Sequence, residues 1–166
     1  MVFLGLAGFF YGFWTLVYEP YLSWTVDPWF AHVVAEQAAW CIRLLGHAAQ
    51  VEIIAPYPEL IVINGLPGVN VGTPCNGLPM LYLFAAFIVA HPGPLKAKAW
   101  FIPLGLLIIH ASNLVRVMAL GFCALYYREF FEVNHKYVYA GIVYSLVIGL
   151  FLIWHLRLAK APVAEA

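Results

Sequence analysis

Long stretches of this chain carry no charge, and that constrains its fold more than any other feature. Met1 to Tyr18 contains no Asp, Glu, Lys or Arg, and neither does Tyr137 to Leu156. Residues 78–91 are equally bare, and residues 97–127 hold only Lys98 and Arg116. A bilayer core takes about 20 apolar residues per helix. Over the whole chain 64% of residues are hydrophobic and 10% are charged, against about 25% charged in a soluble domain. Such a chain cannot solvate its own surface, so lipid is the expected solvent.

The expected architecture is an all-α integral membrane protein, a single domain over residues 1–166 with spans near 1–18, 78–91, 97–127 and 137–156. The first span has no basic leader and no obvious small-residue cleavage site, so it is taken as a retained anchor rather than a signal peptide. The second is short, and the loop at Cys75 is expected to dip in and complete it. The third is long enough to tilt or to project beyond the lipid.

A different texture separates the first two spans. His32, Glu36, Arg43, His47 and Gln50 recur at helical spacing. Val33, Val34, Ala38, Cys41, Leu44, Leu45 and Ala48 lie away from that stripe. This pattern predicts an amphipathic helix over residues 32–50, lying in the interface rather than crossing it. Residues 51–74 then alternate short β-branched runs with Pro, Asn-Gly and Pro-Gly, which predicts an extended, hairpin-like element leading to Cys75.

Orientation follows from the basic residues. Lys96 and Lys98 mark one loop, and Arg157 and Lys160 mark the tail. An even number of spans separates them, so both are expected on the cytoplasmic side. The long loop, with Glu19, Asp27, Glu36, Glu52 and Glu59 against Arg43, is then outside, together with a short loop from Arg128 to Lys136. Trp100 and Trp154 suit the inner interface, and Tyr126, Tyr127, Tyr137 and Tyr139 the outer one. The expected topology is thus that of a multi-pass membrane protein with its long loop outside.

Some classes are excluded. No basic run suggests nucleic acid. The cysteines stand singly at 41, 75 and 123, so neither a zinc knuckle nor a thioredoxin-type pair is signalled, and no cofactor or metal is expected.

The topology brings three residues to the outer side. Cys75 precedes the second span, His135 precedes the fourth, and Arg116 lies ten residues before Tyr126 in the third. An arginine inside a span costs about 2.5–3.5 kcal/mol on insertion scales and needs a partner or a wet cavity. Snorkelling to the headgroups is its bland alternative. No acidic residue lies in any span to pair with it, whereas a thiolate or a developing oxyanion would suit it. Cys75 can be simple apolar filling. It nevertheless follows Pro74 and precedes Asn76-Gly77, which is turn sequence. Either residue can cap the next helix, with Pro79 in the first turn. That setting is expected to lower the thiol pKa. His135 gains meaning from the other two, because a thiol beside an imidazole is the usual activated cysteine.

Supporting roles fall to residues nearby. His110, Asn113 and Arg116 form a stripe on the third span, with Asn113 placed to bond Arg116 or the loop and His110 to bond another helix. Cys41 and Cys123 are expected to pack, although a Cys75–Cys123 disulfide is possible in an oxidising compartment. His91 and His155 fall near the inner surface.

The motifs "PCNGL", "NLVR" and "NH", each placed at or within a span, resemble the exosortase/archaeosortase family of membrane cysteine transpeptidases. The resemblance runs from about Val51 to Trp154 and is closest to compact, single-core members, short forms from Bacteroidota-like bacteria included. It places Cys75 with Gly77, Asn113 with Arg116, and His135 on the family's pattern, with Asn76 standing where Ser or Ala is commoner. The resemblance implies catalytic roles for Cys75, Arg116 and His135. It also implies substrate proteins bearing a C-terminal sorting signal: a short motif, a hydrophobic helix and a basic tail. Cleavage would pass through a thioester on Cys75 to an acceptor that the sequence does not identify, such as an amine or a glycan-linked lipid. Three other functions compete. A non-catalytic structural or interaction protein would tolerate change at all three residues. A disulfide oxidoreductase needs paired outer cysteines, and a haem-b carrier needs two histidines at matching depth.

Overall fold

A computed structural model describes residues 2–53, 59–72 and 75–159. Pro74 and Lys160, on which two of the expectations rest, lie outside the described residues.

The chain opens with one helical run of three parts. An α-helix, α1 (Val2–Phe13), passes into a wider π-helical stretch, Trp14–Leu22, and then into α2 (Ser23–Leu44). Pro20 lies in the π stretch and Pro28 in α2. Proline offers no amide to the helical ladder and crowds the preceding turn, and a π turn is one way a helix absorbs such a defect. The residues expected as a separate interfacial helix over 32–50 are therefore partly the second half of this run. Its end has a clear cause. Gly46 sits at φ 87°, with its amide bonded to the Arg43 carbonyl at 3.0 Å and the His47 amide reaching the Ile42 carbonyl at 3.4 Å. This is a Schellman cap, which glycine makes at little steric cost. Ala48 and Gln50 thus lie beyond the helix, and β1 (Ala49–Ile53) begins there.

Strands β1, β2 (Glu59–Ile63) and β3 (Leu66–Val71) form an antiparallel sheet in that order. The Asn64-Gly65 signal lies at the β2–β3 turn, as its composition predicts. The Asn64 side chain also accepts the Ala48 amide at 3.0 Å, tying this turn to the start of β1. The expected hairpin is thus a three-stranded meander. One face of it, Ile61, Ile63, Val69 and Val71, packs on Val34, Ala35, Ala38 and Ile42 of α2 and on Val117 and Leu120 further along the chain. The Val34 and Ala38 part of the apolar stripe therefore packs on protein, while Leu44 and Leu45 stay exposed. Fully burying an aliphatic side chain of this size is worth about 1.5–3 kcal/mol, so this contact fixes where β3 ends.

After the site turn come α3 (Leu78–Ala90) and α4 (Leu95–Tyr126). Both agree with the spans expected at 78–91 and 97–127 to within about two residues, the usual scatter of helix ends. The segment from Arg128 to Lys136 is not a loop. It winds helically through Arg128–Phe130, α5 (Phe131–Val133) and a π turn, Asn134–Val138, into α6 (Tyr139–Ile153) and a last π turn, Trp154–Leu158. No Gly or Pro interrupts Arg128 to Lys136, and every cap residue from Phe130 to Tyr139 stays in the helical region. Two of these helical segments, Leu95–Tyr126 and Arg128–Leu158, are long and apolar enough to cross a membrane, and Leu78–Ala90 is apolar but shorter. Phe84, Ile88, Phe101, Ile109, Leu150 and Trp154 form a second core where α3, α4 and α6 meet. Trp154 is fully buried there, not spread along an interface.

Candidate active site

The chain leaves β3 at Val71 and turns at once. The Gly72 carbonyl accepts the amides of Cys75 at 2.8 Å and Asn76 at 3.0 Å. Gly77 then adopts φ 81°, and α3 starts with Pro79 in its first turn. Gly77 is required twice over. Its backbone conformation is one that L side chains rarely take. A Cβ there would also lie 2.8 Å from the Asn113 side-chain nitrogen.

Asn113 explains that closeness. It is 2% exposed, and its Nδ2 donates to the carbonyls of Cys75 at 3.1 Å and Asn76 at 3.0 Å. Its Oδ1 accepts from Arg116 Nη1 at 3.4 Å. Cys75-x-Gly77 and Asn113-x-x-Arg116 are therefore two halves of one contact. The asparagine clamps the turn by its main chain, glycine leaves room for the clamp, and the arginine one helical turn further on is steered by the same side chain.

The three residues expected to converge do so. Cys75 Sγ lies 3.3 Å from His135 Nε2 and 3.7 Å from Arg116 Nη2. Their partners are 60 and 41 residues away in sequence. Among the described residues no ion pair includes Arg116, and its Nε is buried without a hydrogen-bond partner. A guanidinium with spare donors and no counter-ion, next to a sulfur, is suited to a charge that forms during reaction. Among the described residues no group of three or more His, Cys, Asp or Glu could hold a metal ion.

The electrostatics correct one expectation. Burial raises the Cys75 thiol above its ordinary pKa. The Arg116 charge, the Arg116 hydrogen bond and the Gly72 backbone oppose that rise without cancelling it. Desolvation penalises a thiolate more than a neighbouring cation helps it. Burial thus works against the thiolate at Cys75, which has an imidazole nitrogen in bonding range.

His135 is held from behind. Its ring lies nearly parallel to Phe131, 5.8 Å between centroids, and it sits in the π turn, where the extra residue widens the helix. Its neighbour Asn134 donates to Cys123 Sγ at 3.4 Å. Cys75 and Cys123 are both free. The sulfur of Cys123 also lies 3.5 Å from the Tyr127 carbonyl, so the two thiols serve different neighbours. His110 bonds Gln37 of α2 at 2.7 Å, the interhelical role expected of it.

Sequence reasoning gave Asn134 no role beyond its place in the NH motif, and it missed Asp27 and Tyr18. Asn76, one of the two residues expected to cap the next helix, is fully buried, and its Oδ1 accepts the Leu78 amide at 2.9 Å. Its Nδ2 lies 3.3 Å from Asp27 Oδ1, and Asp27 accepts the Tyr18 hydroxyl at 2.8 Å. Asp27 looked like one more acidic residue of an outer loop. Only the fold brings it against a turn 49 residues away.

Compared with known proteins, the chain matches the family model described as a transmembrane exosortase over residues 3–154. No curated protein and no solved structure matches it.

Proposed function

Because this chain belongs to the transmembrane exosortase family, we propose that it is a membrane cysteine transpeptidase using Cys75 as nucleophile, Arg116 as oxyanion stabiliser and His135 as acid–base. The observation that carries this reading is the sulfur of Cys75 within 3.3 Å of His135 and 3.7 Å of Arg116, from three separate segments. The family sets the coarse activity, and the residue roles are this proposal.

The chemistry balances as follows. His135 Nε2 takes the Cys75 proton as the sulfur attacks a peptide carbonyl carbon. The carbonyl oxygen becomes an oxyanion, which Arg116 stabilises. The intermediate collapses with the C–N bond breaking, and the imidazolium gives its proton to the leaving amine. The new N-terminus departs on the hydrophobic tail, leaving a thioester on Cys75. His135 then takes a proton from an acceptor amine or hydroxyl, which attacks the thioester and expels sulfur. That proton returns to Cys75. Water in place of the acceptor gives plain proteolysis. A resting neutral thiol fits this sequence, because one proton shuttles between sulfur, imidazole and amine.

The substrates are proteins with a C-terminal sorting signal, and the site faces the extracytoplasmic side of a multi-pass inner membrane protein with four spans. An apolar groove of about 520 Å³ between α1 and α3 offers a seat for the hydrophobic helix of such a signal. It runs from Pro79 to Ala90 past Trp14, Leu83 and Phe87, starting beside the Cys75 turn. A substrate helix lying there presents its outer end to the thiol.

A Cys75→Ala variant given a substrate with its cognate tail tests the proposal. The expected result is no detectable processing, with the variant protein inserted normally. Processing at the normal rate removes Cys75 as the nucleophile.

A further inference from the structure

The turn that presents Cys75 is gripped from two sides, and the motif residues account for only one of them. Asn113 holds the main chain from α4. The opposite grip comes from α2, through the Asn76 side chain. That side chain is fully buried. Its Oδ1 accepts the Leu78 amide at 2.9 Å, an otherwise unpaired donor at the start of α3. Its Nδ2 faces Asp27 Oδ1 at 3.3 Å and the Asp27 carbonyl at 3.4 Å.

An amide side chain can be turned over with little change in shape, exchanging oxygen for nitrogen. At Asn76 the exchange would point an NH2 at the Leu78 amide and an oxygen at two oxygens of Asp27. Both contacts would be repulsive. Asp27 therefore selects the orientation in which Asn76 caps α3. Asp27 is itself 6% exposed and is fixed by the Tyr18 hydroxyl from the π stretch. It forms part of the wall of a cavity of about 380 Å³ that also touches Gly72, where the turn begins.

We propose that Asp27 is a positioning residue for the nucleophile: as an acceptor it orients Asn76, and Asn76 sets the turn that keeps Cys75 Sγ against His135 and Arg116. This rests on Cys75 being the nucleophile. The role needs acceptor oxygens, not a proton, so the conservative amide variant separates it from acid–base catalysis.

The experiment uses the full-length protein in membranes with a tail-bearing substrate, comparing wild type, Asp27→Ala, Asp27→Asn, Asn76→Ala and the Asp27→Ala/Asn76→Ala double variant. Asp27→Ala is expected to lower kcat about 10- to 100-fold, the scale of a small misplacement at a reacting centre, with KM within about twofold. Asp27→Asn keeps an acceptor and is expected to stay within about threefold of wild type. Asn76→Ala and the double variant should match Asp27→Ala, since both residues act through one contact. Wild-type kcat in Asp27→Ala overturns the proposal. So does an Asp27→Asn as inactive as Asp27→Ala, or a double variant whose losses multiply. If Asp27→Ala fails to insert, Asn76→Ala and Asp27→Asn carry the same test. Cys75→Ala distinguishes the two failures. If it still processes substrate, the nucleophile assignment falls. If it is inert while Asp27→Ala works normally, only the role of Asp27 falls.

Discussion

The helical run from Arg128 to Leu158 meets the α3 segment at both of its ends, each time through a histidine in a π turn. At one end His135 faces the Cys75 sulfur. At the other, His155 Nδ1 lies 2.9 Å from His91 Nε2. The surroundings differ in kind. His135 faces a thiol that has the Arg116 guanidinium on it as well, and the main chain of that cysteine is clamped by Asn113. His155 stacks on His91, which stacks on Phe151, next to the buried pair Phe101 and Trp154. A histidine at a helix end is thus not chemistry by itself. Its partners decide: a thiol nucleophile at one end, a second imidazole and aromatic faces at the other.

The contrast can be broken most directly at His135. His135→Gln keeps a polar side chain but loses the base, and processing should fall about 10²- to 10⁴-fold with insertion unchanged. A near-normal rate in a substrate-cleavage assay would make the two histidines equivalent. Arg116→Met comes next, with an expected loss of about 10²- to 10³-fold in kcat. It also has a pH signature. Burial raises the Cys75 pKa and Arg116 lowers it, so removing Arg116 tips the balance further upward. The midpoint of Cys75 alkylation against pH should move upward, with less thiolate at any fixed pH. An unchanged or lower midpoint would mean that the guanidinium does not act on the sulfur.

Gly77→Ala sharpens the comparison at the level of stability. The Cβ would meet Asn113 in a backbone conformation already unfavourable for alanine, at a cost of about 1–3 kcal/mol. Thermal unfolding in detergent should register it, together with slower processing. Full tolerance would show that the clamp is loose. The smallest effect is expected at His155→Phe, which retains the ring stack. Stability should change by less than about 1 kcal/mol and processing not at all. A dead but folded variant would show that the two ends are coupled.

Much of the site was legible in the sequence because its parts are short and rigidly spaced. Cys75 to Gly77 is a turn opening a helix, Asn113 to Arg116 is one helical turn, and an arginine in an apolar helix demands a reason. What escaped was either cooperative or distant. The reach of α2 to Leu44 depends on the run absorbing Pro20 and Pro28, and the helix expected to run on to Gln50 stops instead at Gly46. His135 was placed at the end of a loop because charged Arg128–Lys136 resembles one, yet nothing in it breaks a helix. Asp27 was invisible as a site residue, since its value depends on Asn76 and the fold alone joins them. Trp154 was placed at an interface by composition, while packing against Phe101 put it in the core.

Asn113 holds the carbonyls of Cys75 and Asn76 from a point three residues before Arg116 on the same helix. Sulfur and guanidinium consequently ride on one chassis, and the imidazole rides on another. The reach from sulfur to guanidinium is thus set by the Asn113 clamp, and the reach from sulfur to imidazole by the packing of α6 on α3 and α4.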